Sequence, residues 1–170
     1  MRRLAVAAPA LLAACVTLEQ AGRPVTRPAG DEGMTVYVVG RLSFEAPSTW
    51  SASGDDRRLR IASPQGQVRI EADAVGRPVA GEAECLADAE TVLARTSATV
   101  VNVRRHPTSF AGRRALTQEG DQGSWHSWAY AVCDGTTQYR IWFTGLSPMS
   151  PEAIEAHRVL VASSQFGAAP

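Results

Sequence analysis

Ser124-Trp125-His126-Ser127-Trp128-Ala129-Tyr130-Ala131-Val132-Cys133 runs into Asp134-Gly135, and Thr136-Thr137-Gln138-Tyr139-Arg140-Ile141-Trp142-Phe143-Thr144 follows. Both flanks are rich in aromatic and β-branched residues, and Asp-Gly between two such runs is a strong hairpin signal. With Asp134-Gly135 as a two-residue turn, Val132 faces Thr137, Tyr130 faces Tyr139, Trp128 faces Ile141 and His126 faces Phe143. That face is bulky and apolar. The other face carries Trp125, Ser127, Ala129, Ala131 and Cys133, with Gln138, Arg140 and Trp142 opposite. Small residues there allow a helix to approach closely. A longer turn through Thr137 shifts the pairing and can reverse which faces meet, because side chains alternate with a period of two.

Working outward, Val36 to Ala46 reads as an extended run with Leu42 and Phe44 alternating, ended by Pro47-Ser48. Arg58 to Ala62 points Leu59 and Ile61 one way and Arg58 and Arg60 the other; Ser63-Pro64-Gln65-Gly66 turns it back into Val68, Ile70, Ala72 and Ala74. Residues 82 to 97 change period: Cys85, Leu86, Ala89, Val92, Leu93 and Thr96 recur at three and four, a helical face, with Gly81 as N-cap. Thr99 to Arg105 and Gly112 to Gln118 read as strands, the second closed by Glu119 to Gly123. Ser150 as N-cap and Pro151 at the first position open a last helix, with Ile154, Leu160, Val161 and Ser164 expected on its buried side. The expected order is β-β-β-α-β-β-β-β-α. The fold class is α/β (α+β): a mainly antiparallel sheet with two helices packed on it.

The start of the chain has a different character. Met1-Arg2-Arg3 is a basic opening, and Leu4 to Ala14 is an apolar stretch of eleven residues. That is too short to span roughly 30 Å of hydrocarbon, and it fits the core of a secretory signal. It ends in Leu12-Ala13-Ala14-Cys15, which resembles the lipobox of bacterial lipoproteins. The resemblance implies cleavage after Ala14 and lipid on Cys15, with residues 1–14 removed as signal peptide. Two or more acyl chains hold a protein firmly to a bilayer. Val16 in place of an Asp favours the outer membrane over the inner, so the expected location is the envelope, lipid-anchored and facing the periplasm. Residues 15–34 are expected to be the lipidated N-terminus and a flexible tether, broken by Gly22, Pro24, Pro28, Gly30 and Gly33. One globular domain, 35–170, follows.

With Cys15 taken by lipid, Cys85 and Cys133 remain. An even pair in an oxidising compartment points to a disulfide. Two free thiols or a redox pair are the alternatives, although no C-x-x-C is present.

Within residues 36 to 166 the chain also resembles the PsbP-like family. The resemblance rests on Leu42-Ser43-Phe44-Glu45-Ala46-Pro47 with Trp50, on Phe110-Ala111-Gly112-Arg113-Arg114-Ala115, on Tyr139-Arg140-Ile141-Trp142-Phe143 and on Ser163-Ser164-Gln165-Phe166. It implies a sandwich of antiparallel sheet and helices, and a binding or assembly module without a shared catalytic motif.

Composition narrows the function further. Seventeen basic residues, all Arg, balance seventeen acidic ones, and removal of Arg2 and Arg3 leaves −2. A nucleic-acid partner would call for a basic excess, so none is expected. His106, His126 and His157 lack metal-ligand spacing; His126 is expected packed or at a rim, His157 on the helix surface and His106 in a loop. No nucleophile elbow, phosphate loop or dinucleotide fingerprint occurs, so no catalytic residue, metal or cofactor is expected. The arginine clusters at 57–60, 104–105 and 113–114 suit either anionic glycans and headgroups or, as the favoured reading, solvated strand edges. Trp125, Arg140 and Trp142 form the candidate binding groove. The expected function is a non-catalytic accessory lipoprotein, held to the membrane through Cys15 and binding a protein or envelope component. A small periplasmic hydrolase or metal-dependent enzyme, and a structural subunit of an envelope machine, are the alternatives.

Overall fold

The computed structural model describes residues 23–30, 32–96 and 99–167. A four-stranded sheet contains β1 (Val25–Pro28), β2 (Met34–Val39), β3 (Leu42–Pro47) and β11 (Gln165–Phe166), in the order β1-β2-β3-β11. The larger sheet contains β4 (Ser51–Gly54), β5 (Arg58–Ala62), β6 (Val68–Gly76), β7 (Val101–Phe110), β8 (Arg113–Gln122), β9 (Trp125–Asp134) and β10 (Thr137–Leu146). Its seven strands run β4-β5-β6-β10-β9-β8-β7, and every pairing is antiparallel. Helices α1 (Glu82–Thr96) and α2 (Pro151–Ser163) complete the mixed α+β fold.

The two faces of the large sheet are unequal, as the alternation in β9 and β10 requires. Tyr130, Val132, Tyr139, Ile141 and Phe143 point into the main core, which also holds Leu59, Ile61, Ile70 and Ala72. Phe44 and Leu42 of β3 and Ala153, Ala156 and Leu160 of α2 close that core from the other side. On the opposite face, Ala129 and Ala131 leave room for α1, whose Ala89 and Leu93 sit on them with Leu116 and Trp142 at the margin. The disulfide between Cys85 of α1 and Cys133 of β9 ties the helix down.

The structure corrects several expectations. The run from Val36 to Ala46 is a hairpin, not one strand: β2 turns at Gly40 and pairs with β3. Gly40 has φ +56°, and a Cβ there would lie 2.9 Å from the Tyr139 hydroxyl. Val25–Pro28, expected within the tether, forms β1 on β2. All four of its residues are exposed, and an outermost strand tolerates proline because its outward N–H is not needed by the ladder. The central hairpin pairs Thr137 with Asp134 and Tyr139 with Val132, so its two-residue loop is Gly135-Thr136. Gly135 has φ +61°; a glycine at the first loop position suits a type II′ turn. The shift moves each partner by two residues, so the faces stay as expected. Strands β7 and β8 extend to Phe110 and Gln122 and take His106 out of the expected loop. In α2, Ala153, Ala156 and Leu160 set the buried stripe, and Ile154 is 53% exposed. Ile154 lies one residue, about 100°, from Ala153 on the helical wheel.

Candidate functional site

Helix α1 covers β8 and β9 and only the margin of β10, so that among the described residues no helix packs over the same face of β5 and β6. The register aligns residues across the strands there. Arg140 lies beside Asp73, which lies beside Arg58; Trp142 lies beside Glu71, which lies beside Arg60; Thr144 lies beside Arg69. Arg58, Arg60, Glu71, Asp73, Trp142 and Thr144 line a depression of about 390 Å³. A second one, of about 260 Å³, shares Arg60 and Glu71 and continues over Ser51 and Ser53 of β4.

Asp73 is the electrostatic centre of this face. Its Oδ1 accepts from Arg58 Nε at 3.0 Å and its Oδ2 from Arg140 Nη2 at 3.0 Å. Burial pulls the Arg140 guanidinium below its ordinary pKa, and the Asp73 charge opposes that shift. Arg140 Nε is buried without a hydrogen-bond partner. The guanidinium lies 5.4 Å from the Trp142 ring centroid, and Arg69 lies 4.6 Å from that of Trp125. Such contacts hold an indole and a cation side by side. The three groove residues expected from the sequence therefore share one face. Of the three, only Trp142 lines the depression; Arg58, Arg60, Glu71 and Asp73, which sequence reasoning did not place in a groove, line it with Trp142 because β6 pairs with β10 and β5 with β6. The outward phase of Arg58 and Arg60 was legible, but the pairing of strands so far apart in the chain was not.

His126 and His157 occupy the core face, while His106 on β7 is exposed. His126 Nδ1 is 2.6 Å from Asp121 Oδ1, and its Nε2 is 3.3 Å from Glu119 Oε1. Asn102 donates to Asp121 and Arg104 to Glu119. The Asn102 bond, then that of His126, pulls Asp121 below the ordinary carboxylate range. His126 also meets the Trp128 ring edge-on at 4.5 Å, as a residue at a rim would. His157 departs from the expected surface position: it is stacked on Trp128 and bonded to the Tyr130 hydroxyl at 2.9 Å. Tyr130, pushed up to about 12 mainly by burial, keeps its proton. Burial pushes His157 down to about 4, so at neutral pH the phenol donates to the Nε2 lone pair. Among the described residues, no group of three or more His, Cys, Asp and Glu has a metal-binding arrangement.

Of the other expected sites, Cys85 and Cys133 are joined. Leu12, Ala13, Ala14 and Cys15 lie outside the described residues. The arginine clusters are mostly paired along strands: Arg104 with Glu119, Arg113 with Asp134, Arg58 with Asp73.

No family model matches the chain, and no curated protein does. Two solved structures are similar. The solution structure of cyanobacterial PsbP (CyanoP) from Synechocystis sp. PCC 6803 is 10% identical with a TM-score of 0.58, over 83% of this chain and 96% of that one. A crystal structure from Bacteroides thetaiotaomicron VPI-5482 is 12% identical with a TM-score of 0.45; the match takes in 75% of this chain and only 45% of that one. The fold is PsbP-like.

Proposed function

We propose that this protein is a lipid-anchored accessory module of the bacterial envelope, facing the periplasm, that binds an envelope component without chemistry of its own. The observation that carries this reading is the open face of β5, β6 and β10, where charged groups and an indole from separate strands form a continuous lining. The PsbP-like fold is compatible with a non-catalytic role. Leu12-Ala13-Ala14-Cys15 supports the anchor. Strand β1 begins at Val25, so ten residue steps separate it from Cys15, and a fully extended link of that length reaches about 35 Å. That is shorter than the roughly 60 Å available to the full tether of residues 16–34. It keeps the domain near the membrane and raises its effective concentration for partners on the same surface.

Labelled palmitate fed to cells tests the anchor: it should enter the wild type and not Cys15→Ala, and the variant should leave the membrane fraction. Equal labelling of both removes the lipoprotein reading. Separation of inner and outer membranes should place the wild type in the outer one.

One observation favours an enzyme instead, the contact of His126 with Asp121 and Glu119. If the wild type hydrolysed a substrate and a folded His126→Ala variant did not, the non-catalytic reading would fall.

A further inference from the structure

We infer that the open face of β4, β5, β6 and β10 binds an acidic polysaccharide. This inference deepens, and rests on, the reading of the chain as a binding module.

Charge is the first argument. Arg58, Arg60, Arg69 and Arg140 share this face by register with only two carboxylates, Glu71 and Asp73. Four guanidiniums against two acids is a local excess of two, on a chain whose formal net charge is zero. Asp73 engages both Arg58 and Arg140, whereas Arg60 Nε is 3.8 Å from Glu71 and Arg69 lies over an indole. The last two are exposed and have donors to spare. A guanidinium presents a planar fork that matches a carboxylate in two-point contact.

The second argument is the kind of surface that surrounds those charges. An antiparallel sheet with one solvated face normally carries small and polar residues there. This one carries the half-buried indole of Trp142, with that of Trp125 at the neighbouring end of β9, and each has a guanidinium over its ring. A flat apolar ring next to hydrogen-bond donors suits a sugar, which offers a C–H face and hydroxyls at its edge. Thr144, Ser51 and Ser53 add hydroxyls at both ends of the joined depressions. From β4 to β10 the lining crosses three strand spacings, about 14 Å, enough for more than one sugar ring.

Other partners fit less well. The core of a protein interface is depleted of charge, and here six charged side chains lie together. Nucleic acid would require a larger basic excess. A bilayer would be met by protruding apolar side chains, while here Trp142 is half-buried in a depression among charged side chains.

The full-length protein in detergent is titrated by calorimetry with an oligogalacturonate, with neutral maltotetraose and phosphatidylglycerol vesicles as comparisons. Oligogalacturonate should bind at 50 mM salt, and binding should weaken at least tenfold in Arg60→Glu/Arg69→Glu. It should also weaken at 500 mM salt, and exceed that of maltotetraose. Arg60 and Arg69 are exposed, so the double variant should melt like the wild type. Trp142→Ala, checked for folding in the same way, should weaken binding at least fivefold. No binding, equal binding of maltotetraose, binding unchanged in the double variant, or binding to vesicles alone overturns the proposal. Cleavage of the oligogalacturonate would leave the site standing and overturn the non-catalytic reading instead.

Discussion

Trp128 and His157 lie face to face, their ring centroids 4.1 Å apart and their planes 13° from parallel. The stack joins β9 to α2 and places the imidazole where burial holds its pKa down to about 4; the nearby His126 lowers it further and Glu119 opposes the shift. In the unfolded chain the same ring takes up a proton near 6.5. Between pH 6.5 and 4 the unfolded state therefore binds more protons at this ring, so the His157 contribution to stability falls as the pH falls through that window and is constant outside it. The ring is only partly buried, and screening by solvent limits the loss to about 2 kcal/mol. Urea unfolding at pH 7 and at pH 4.5 should show the loss. His157→Phe keeps an aromatic ring against Trp128 and cannot titrate, so the difference between variant and wild type should shrink on acidification. A constant difference would mean that His157 does not set the slope.

The disulfide closes a loop of about fifty residues between α1 and β9. Restricting the unfolded chain in this way is worth about 4 kcal/mol in the chain-entropy model. Cys85→Ala/Cys133→Ala should lower stability by about that amount, and reductant should do the same to the wild type and nothing to the variant. Equal urea midpoints with and without reductant would show that the bridge carries no weight.

The central hairpin was legible because its signals are local. Asp134-Gly135, the alternating aromatic residues and the small stripe of Ala129 and Ala131 gave both faces, and the stripe marked where a helix could approach; α1 came from its own period and the Cys85–Cys133 bridge from the even cysteine pair. Local signals also gave Ser150 as a cap and the Arg58–Ala74 hairpin. What failed was non-local. Nothing near Val25 announces pairing with Val38, and nothing near Gln165 announces pairing with Ser43. Val36 to Ala46 read as one extended run, because the contact that demands a glycine at Gly40, the Tyr139 hydroxyl, lies about a hundred residues away. Gln138 is fully buried and donates to Asp88 on α1, a contact no periodicity reveals. The groove was half legible for the same reason: Arg140 and Trp142 share a strand, while Glu71 and Asp73 reach them only through the β6–β10 pairing.

Gly54 should be the least replaceable of the turn glycines on the large sheet. Its φ is +119°, and a Cβ would overlap the carbonyl oxygen of Arg58. That carbonyl also accepts from Asp55 N at 2.8 Å, so it cannot withdraw freely. Gly66 has φ +66° and open space around it, and an L residue in that conformation costs roughly 1–2 kcal/mol. Gly54→Ala should therefore lower stability by more than Gly66→Ala, measured by chemical denaturation. The reverse order would show that the β4–β5 turn relaxes at no cost.

The start of α2 offers a sharper test, because its cap can be removed in graded steps. Ser150 sits in extended backbone, φ −69° and ψ 155°, and its Oγ accepts from Ala153 N at 3.1 Å. Its carbonyl takes the first helical bond, from Ile154 N at 3.0 Å, and Pro151 at the next position has no donor to satisfy. Replacing a capping serine with alanine strands that amide and typically costs about 1 kcal/mol, whereas glycine costs only a few tenths. Ser150→Ala should show the full loss, Ser150→Gly little, and Ser150→Asp should match the wild type, its charge also suiting the helix N-terminus. The effect should reach the core, since Ala153 and Ala156 on the first turns are buried against the sheet. Thermal melts of the three variants check the series. A ranking with alanine at the top would show that neighbouring packing, and not the Ser150 hydroxyl, fixes the beginning of the helix.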